Sequence, residues 1–124
     1  MEYVKSFRDL HVYKVSRILA KKIFEISQSF PKEERYSLTD QIRRSSRSVG
    51  AQIAESWAKR NYRRHFISKL TDADGEQLET QHWLEVATDC SYITSEHAEE
   101  LRTQYNEIGK MLNSMIQKAE SFCS

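Results

Sequence analysis

Apolar residues recur at steps of three and four along most of this chain, and that spacing leaves room for little except helices. The stretch Leu38 to Arg60, LTDQIRRSSRSVGAQIAESWAKR, shows it best. Leu38, Ile42, Val49, Ile53 and Trp57 fall on one line, with Ser45 filling the remaining turn. Arg43, Arg44 and Arg47 lie off that line, and Lys59 and Arg60 close the stretch. One helix with an apolar side and a cationic side is the expectation.

The same period runs on either side. Val12, Val15, Leu19, Ile23, Ile26 and Phe30 mark a first helix opening at Phe7-Arg8-Asp9-Leu10. It spans about 22 residues, roughly 33 Å at 1.5 Å per residue. Tyr13, Ala20 and Phe24 widen its stripe, and Lys14, Arg17, Lys21 and Lys22 sit mainly off it. Pro31 ends it, because proline lacks the N–H and biases its predecessor away from the helical region. Ser37 or Thr39 is placed to cap the second helix. A break near Asn61 leads to a third helix from about Tyr62 to Asp89, with Phe66, Leu70, Ala73, Gln77, Leu84 and Ala87 near one face and Ile67, Leu78 and Trp83 beside it. Thr94 or Ser95 caps a fourth, whose line is Leu101, Tyr105, Ile108, Leu112, Met115, Ala119 and Phe122. Long amphipathic helices with short connections predict an all-α fold, an antiparallel up-down-up-down four-helix bundle formed by residues 1–124 as one domain. Gly50, Gly75 and Gly109 fall inside these helices, where glycine costs about 1 kcal/mol relative to alanine. Each is either tolerated local destabilisation or a place where another helix comes close.

The net charge of +1 conceals a division. Residues 43–70 carry eight Lys/Arg against Glu55 alone, whereas residues 71–124 carry eleven acids against Arg102, Lys110 and Lys118. A basic middle and an acidic end point to a polyanion partner, to self-association of unlike faces, or to both. There is no apolar run of signal-peptide or membrane-spanning length, so a cytoplasmic protein is expected, with Cys90 and Cys123 as free thiols.

The run Asp40-Gln41-Ile42-Arg43-Arg44-Ser45, then Ser48-Val49, then Ile53-Ala54-Glu55, resembles the four-helix-bundle proteins encoded in intervening sequences of bacterial 23S ribosomal RNA genes. The accessory protein of diversity-generating retroelements is similar. Phe7-Arg8-Asp9-Leu10 with Val12-Tyr13, and Phe30-Pro31-Lys32-Glu33-Glu34, match the same pattern, and Ala73 and Gly75 match it more loosely. The chain departs from it at Gln52, Ser56 and Glu76, where Asn, Gly and a small hydroxyl residue are usual. The resemblance implies a four-helix bundle, a ring-like homo-oligomer expected to be a pentamer, and a role in binding nucleic acid.

Arg43, Arg44, Arg47, Lys59, Arg60, Arg63 and Arg64 are the candidate nucleic-acid contacts, since guanidinium groups match phosphate oxygens in paired hydrogen bonds. Tyr62 and His65 are interleaved with them, and an aromatic there can stack on an unpaired base. The expected ligand is structured RNA or an RNA–DNA hybrid, read through shape and backbone. The same charges could instead form a solvated face, pair with the acidic fourth helix, or dock a protein partner, in which case the chain is an interaction or scaffold module. Nothing points to a cofactor, a metal or an enzyme. Glu79-Thr80-Gln81-His82 has the Glu-x-x-His spacing of di-metal bundles, but no second such motif accompanies it.

Overall fold

A computed structural model describes residues 4–123, and among them the secondary structure is helical throughout. The long helices are α1 (His11–Ser27), α2 (Leu38–Ala58), α3 (Arg63–Asp89) and α4 (Ser95–Gln117), followed by a short α5 (Ala119–Phe122). Three-residue 3-10 turns, Phe7–Asp9 and Lys32–Glu34, precede α1 and α2. No helix among the described residues is long and apolar enough to cross a membrane.

Cross-helix contacts give the direction of each neighbour. Gly50 of α2 meets Ser16 and Tyr13 of α1, while Arg43, two turns earlier, reaches Ser27. Lys69 reaches Gln52 and Arg44 reaches Glu79. Gln81 meets Asn106, and Phe66 stacks on Phe122. Lys22 reaches Gln104, and the α1 start adjoins Met111 and Met115. Each adjacent pair is therefore antiparallel, as the expected up-down-up-down bundle requires. The core consists of the residues on the apolar lines: Leu19, Ile23, Ile42, Val49, Ile53, Phe66, Leu70, Leu84, Leu101, Tyr105, Ile108 and Leu112 are essentially inaccessible to solvent. Each such aliphatic or phenylalanine side chain contributes about 1.5–3 kcal/mol on burial, whereas the Tyr105 hydroxyl is buried with no hydrogen-bond partner among the described residues, which offsets part of its ring's contribution. Ser45 and Thr80 share a 2.8 Å hydrogen bond inside the α2–α3 seam, which satisfies two buried hydroxyls at once.

Element ends differ from expectation for local reasons. Residues Phe7–Asp9 are a separate turn, not the start of α1, because Ser6 and Asp9 form a capping box and Leu10 is extended (φ −66°, ψ 128°). Asp9 accepts the Ser6 backbone N–H at 3.2 Å, so it serves that turn. Helix α1 stops at Ser27 and not at Phe30. The Ser27 and Ser29 hydroxyls donate to the carbonyls of Phe24 and Ile26, and the backbone tightens to i→i+3 bonds before Pro31. Neither Ser37 nor Thr39 caps α2 with its side chain. The Glu34 carboxylate does so, accepting the Leu38 backbone N–H at 3.4 Å and the Ser37 hydroxyl at 2.6 Å. Thr94 caps α4 as expected. Leu78 faces outward at 54% exposure, away from the face the spacing placed it beside.

The glycines divide. A Cβ on Gly109 would lie 2.9 Å from Gln77 Nε2, and one on Gly50 would lie 3.2 Å from Ser16 Oγ. Both are places where helices come close. Gly75 has nothing within 4 Å of the corresponding position. Gln77 is buried and held by Asp74 and Gln81, so it cannot move aside freely.

The turn after α3 joins the turn before α2. Ser91 takes a left-handed conformation (φ 61°), which seats the Tyr92 ring 5.5 Å from Phe30. The Tyr92 hydroxyl donates to Glu34 at 2.9 Å. Hydrogen bonds from Ser37 and Tyr92 hold the Glu34 carboxyl below its usual range, and the bond to Glu34 pushes the Tyr92 phenol up to about 12. A depressed carboxyl stabilises the fold above its unfolded value, and that contribution is lost as pH falls through the folded value. A raised phenol stabilises below its unfolded value, and that contribution is lost as pH rises through about 12.

Two outcomes are expected. In urea unfolding, Gly75→Ala gains about 0.5–1 kcal/mol from helix propensity, while Gly109→Ala loses about 1 kcal/mol because overpacking exceeds that gain. Equal gains for both would show that α3 and α4 are not in close contact at Gly109. In unfolding followed against pH, Tyr92→Phe is less stable than wild type at neutral pH, and the gap narrows in acid as Glu34, held below the usual carboxylate range by Ser37 and Tyr92, takes a proton. A gap that stays constant through the acid range would show that the two side chains are not coupled.

Candidate nucleic-acid interface

The apolar line of α2 sets the direction of every cation on that helix. Successive residues turn by about 100°, so with Ile42, Val49 and Ile53 buried, Arg43 and Arg47 lean toward α1 and Arg44 leans toward α3. Arg43 is half-buried, with Nε donating to Ser27 Oγ at 2.7 Å and its guanidinium 4.7 Å from the Phe24 ring centre. Arg47 is exposed and lies 5.7 Å from the same ring. Both keep their charge free of carboxylates, since neither forms an ion pair among the described residues. Arg44 is different. It pairs with Glu76 at 2.9 Å and with Glu79. Its hydrogen bonds to Glu79 and Glu76 push its guanidinium further up, while the Trp83 indole N–H and then Arg44 hold Glu79 low. Arg44 is thus a clamp between α2 and α3, and the three arginines expected to act together face two ways.

The remaining candidates do converge. Lys59 ends α2, and Tyr62 N–H donates to the Lys59 carbonyl at 2.9 Å, closing a tight turn into α3 at Arg63. This brings Lys59, Arg60, Arg63 and Arg64 to one end of the bundle. Arg60 lies flat over Trp57, 3.7 Å from the ring centre, and its Nε donates to the Trp57 carbonyl at 2.9 Å. That stacking fixes the guanidinium without neutralising it. Arg63 meets Glu120 at 3.2 Å, but both side chains are exposed, 56% and 82%. Such a pair is worth about 0–1 kcal/mol. Lys59 and Arg64 are exposed and form no ion pair among the described residues. With His65, Ser68 and Lys69 they line a shallow recess of about 300 Å³. Lys69, which residue pattern alone did not single out, is held in place by Glu55 at 2.9 Å and Gln52 at 3.5 Å, and the bond to Glu55 raises its pKa.

Helix dipoles explain half of this cluster and oppose the other half. Lys59 and Arg60 stand at the C-terminal end of α2, where cations are favoured. Arg63 and Arg64 open α3, whose N-terminal end favours anions. Tyr62 is extended at that end and gives no side-chain cap. Two arginines beside a positive helix end raise the local free energy, and an anion placed there would lower it. Tyr62 is 64% exposed in the middle of the turn, and its ring centre is 5.7 Å from that of His65.

A family model described as 23S rRNA-intervening sequence protein matches residues 8–114. A solved structure described as a protein with unknown function from the S23 ribosomal protein family, from Bacteroides thetaiotaomicron VPI-5482, is 34% identical, with a TM-score of 0.75 over 86% of this chain and 95% of that one. No curated protein matches the chain.

The different settings of Arg44 and Arg64 can be separated by experiment. Arg44→Ala is expected to lower unfolding stability by about 0.5–1 kcal/mol, as for a partly exposed paired arginine, and to leave polyanion affinity within about twofold. Arg64→Ala is expected to leave stability unchanged and to weaken polyanion binding. Denaturant unfolding and a heparin-column elution series check this, and the reverse assignment would contradict the placement of charges described above.

Proposed function

The chain belongs to the 23S rRNA-intervening sequence protein family, and on that premise we propose that it is a non-enzymatic homo-oligomer that binds structured RNA or an RNA–DNA hybrid through the turn between α2 and α3. One observation carries the reading: Lys59, Arg60, Arg63 and Arg64 crowd a single turn around the exposed Tyr62, with Glu120 the one carboxylate paired with them among the described residues. A turn built only for stability would alternate its charges or place acids at the start of α3. Guanidinium and ammonium groups take the phosphates, the positive N-terminal end of α3 adds to their attraction, and Tyr62 offers a face to an unpaired base.

Assembly strengthens the effect. Each phosphate neutralised removes about 0.7–0.9 from the slope of log affinity against log salt. One turn engages a few phosphates and binds weakly alone, whereas several turns on one particle engage many. A ring of five, the size that the family resemblance implies, would give a native mass of five times the 14.6 kDa chain.

Fluorescence anisotropy with an RNA hairpin carrying a single-stranded tail, at a series of salt concentrations, tests the proposal. Wild type is expected to bind with a steep salt dependence, and Arg63→Glu with Arg64→Glu is expected to lose at least about tenfold in affinity and to lower the slope by about 1.5 or more. Binding that ignores salt, or that the double reversal leaves intact, would exclude this surface. Recovery of one defined protein with no nucleic acid would favour a protein-docking module instead.

A further inference from the structure

The structure places a second run of cations outside the turn. Helix α1 has no acid between Asp9 and Glu25, and α2 has none between Asp40 and Glu55. Antiparallel packing lays these two stretches side by side. Arg17 borders both of the recesses on this side of the molecule. One lies between α1 and α2, has a volume of about 320 Å³ and is floored by small residues including Ala20, Gly50 and Ala54, with Arg47 on its opposite rim. The other runs along the outer side of α1 past Lys14 and Lys21. Arg8, Lys14, Arg17, Lys21, Arg43 and Arg47 thus share one side, and among the described residues none of them forms an ion pair. Aromatic rings hold several of the guanidinium groups: Arg8 lies 4.5 Å from the Phe7 ring centre, Arg17 5.9 Å from Tyr13, and Arg43 4.7 Å from Phe24.

We propose that this α1–α2 face is a second nucleic-acid site, which takes the sugar-phosphate backbone of a duplex while the α2–α3 turn takes unpaired nucleotides. This rests on the reading of the chain as a nucleic-acid-binding protein. Charge complementarity identifies the partner as a polyanion, and the aromatic content distinguishes its form. The turn exposes Tyr62 for stacking. On the α1–α2 face Phe7, Tyr13 and Phe24 are half-buried beneath arginines, so among the described residues of α1, α2 and the turn before α1 no ring is free to receive a base; the exposed Tyr36 lies in the connection before α2 and on neither helix. Backbone contact alone suits a double strand, whose bases are stacked on each other. Lys14 and Lys21 are about 10 Å apart along the helix axis, comparable to about three phosphates of one strand. A ridge of fixed cations with a shallow, small-residue trough beside it can follow such a strand without reading its sequence.

The test uses the full chain as it assembles and two probes, a blunt RNA duplex of about 16 base pairs, the length two successive minor grooves occupy, and single-stranded oligouridine. Three variants are compared with wild type: Lys14→Glu with Lys21→Glu and Arg47→Glu, the same positions changed to Gln, and Arg63→Glu with Arg64→Glu. The positions chosen on α1 and α2 are exposed, and they spare Arg43, whose guanidinium lies 4.7 Å from the Phe24 ring centre and whose Nε donates to Ser27. The glutamate triple is expected to lose at least about tenfold in duplex affinity and to stay within about threefold for oligouridine. The glutamine triple loses less, in the same order, and the turn variant reverses the pattern. If wild type binds neither probe, the nucleic-acid reading itself fails. If wild type binds both and the triples lower neither, or lower both alike, the second site fails while the first stands. A triple that changes the native mass by light scattering also overturns the proposal, because the face would then join copies of this chain.

Discussion

Burial of one side of α2 governs the rest of the molecule. Ile42, Val49 and Ile53 are fully enclosed, and a helix with that line in the core has no rotational freedom left. Rotating α2 by one residue would expose three large aliphatic side chains, at about 1.5–3 kcal/mol each. The cations are therefore not free to gather wherever a ligand would prefer. They point where the core leaves them: Arg43 and Arg47 over Phe24, Arg44 into the carboxylates of α3, and Lys59 and Arg60 off the end. The close approach of α1 at Gly50 and the Ser45–Thr80 bond across to α3 fix the same rotation from both sides.

That constraint also explains how much could be read before the fold was known. The helices, their order and their apolar lines were legible because each line repeats for several turns and tolerates no second phase. The concentration of cations near the α2–α3 turn was legible because those residues are neighbours in the chain. The role of Arg44 was not. Its partners Glu76 and Glu79 are some thirty residues away in sequence, and no local pattern shows which side of α3 meets which side of α2. Glu76 is also a position at which the chain departs from the residue usual in proteins it resembles, so the family pattern gave no warning of this clamp. The basic side of α1 is not legible as a site in the sequence for a related reason. Lys14, Arg17 and Lys21 look like an ordinary solvated face until α2 brings Arg43 and Arg47 beside them. The signal available in advance was the stretch from Leu10 to Phe24 without a single acid.

Helix ends were the least legible part. Ser27 and Ser29 compete with the backbone for carbonyls and stop α1 early, and Glu34 takes the capping role expected of Ser37 or Thr39. These details matter because the two ends of the bundle differ in kind. One is tied together by Glu34, Tyr92 and Phe30. The other carries the cations, two of which oppose the dipole of α3. A sequence that tightens one end and accepts electrostatic cost at the other separates holding the fold from meeting a partner.

The measurement that bears most directly on this account is lysine labelling by an amine-reactive reagent, read residue by residue by mass spectrometry, on the native oligomer with and without an RNA hairpin carrying a single-stranded tail. Lys59 on the turn, and Lys14 and Lys21 on α1, should lose reactivity when RNA is bound, while Lys110 in the middle of α4, paired with Glu107, should keep its own. Protection centred on Lys110, or no protection at saturating RNA, would contradict the claim that the rotation of α2 in the core decides where this protein meets a polyanion.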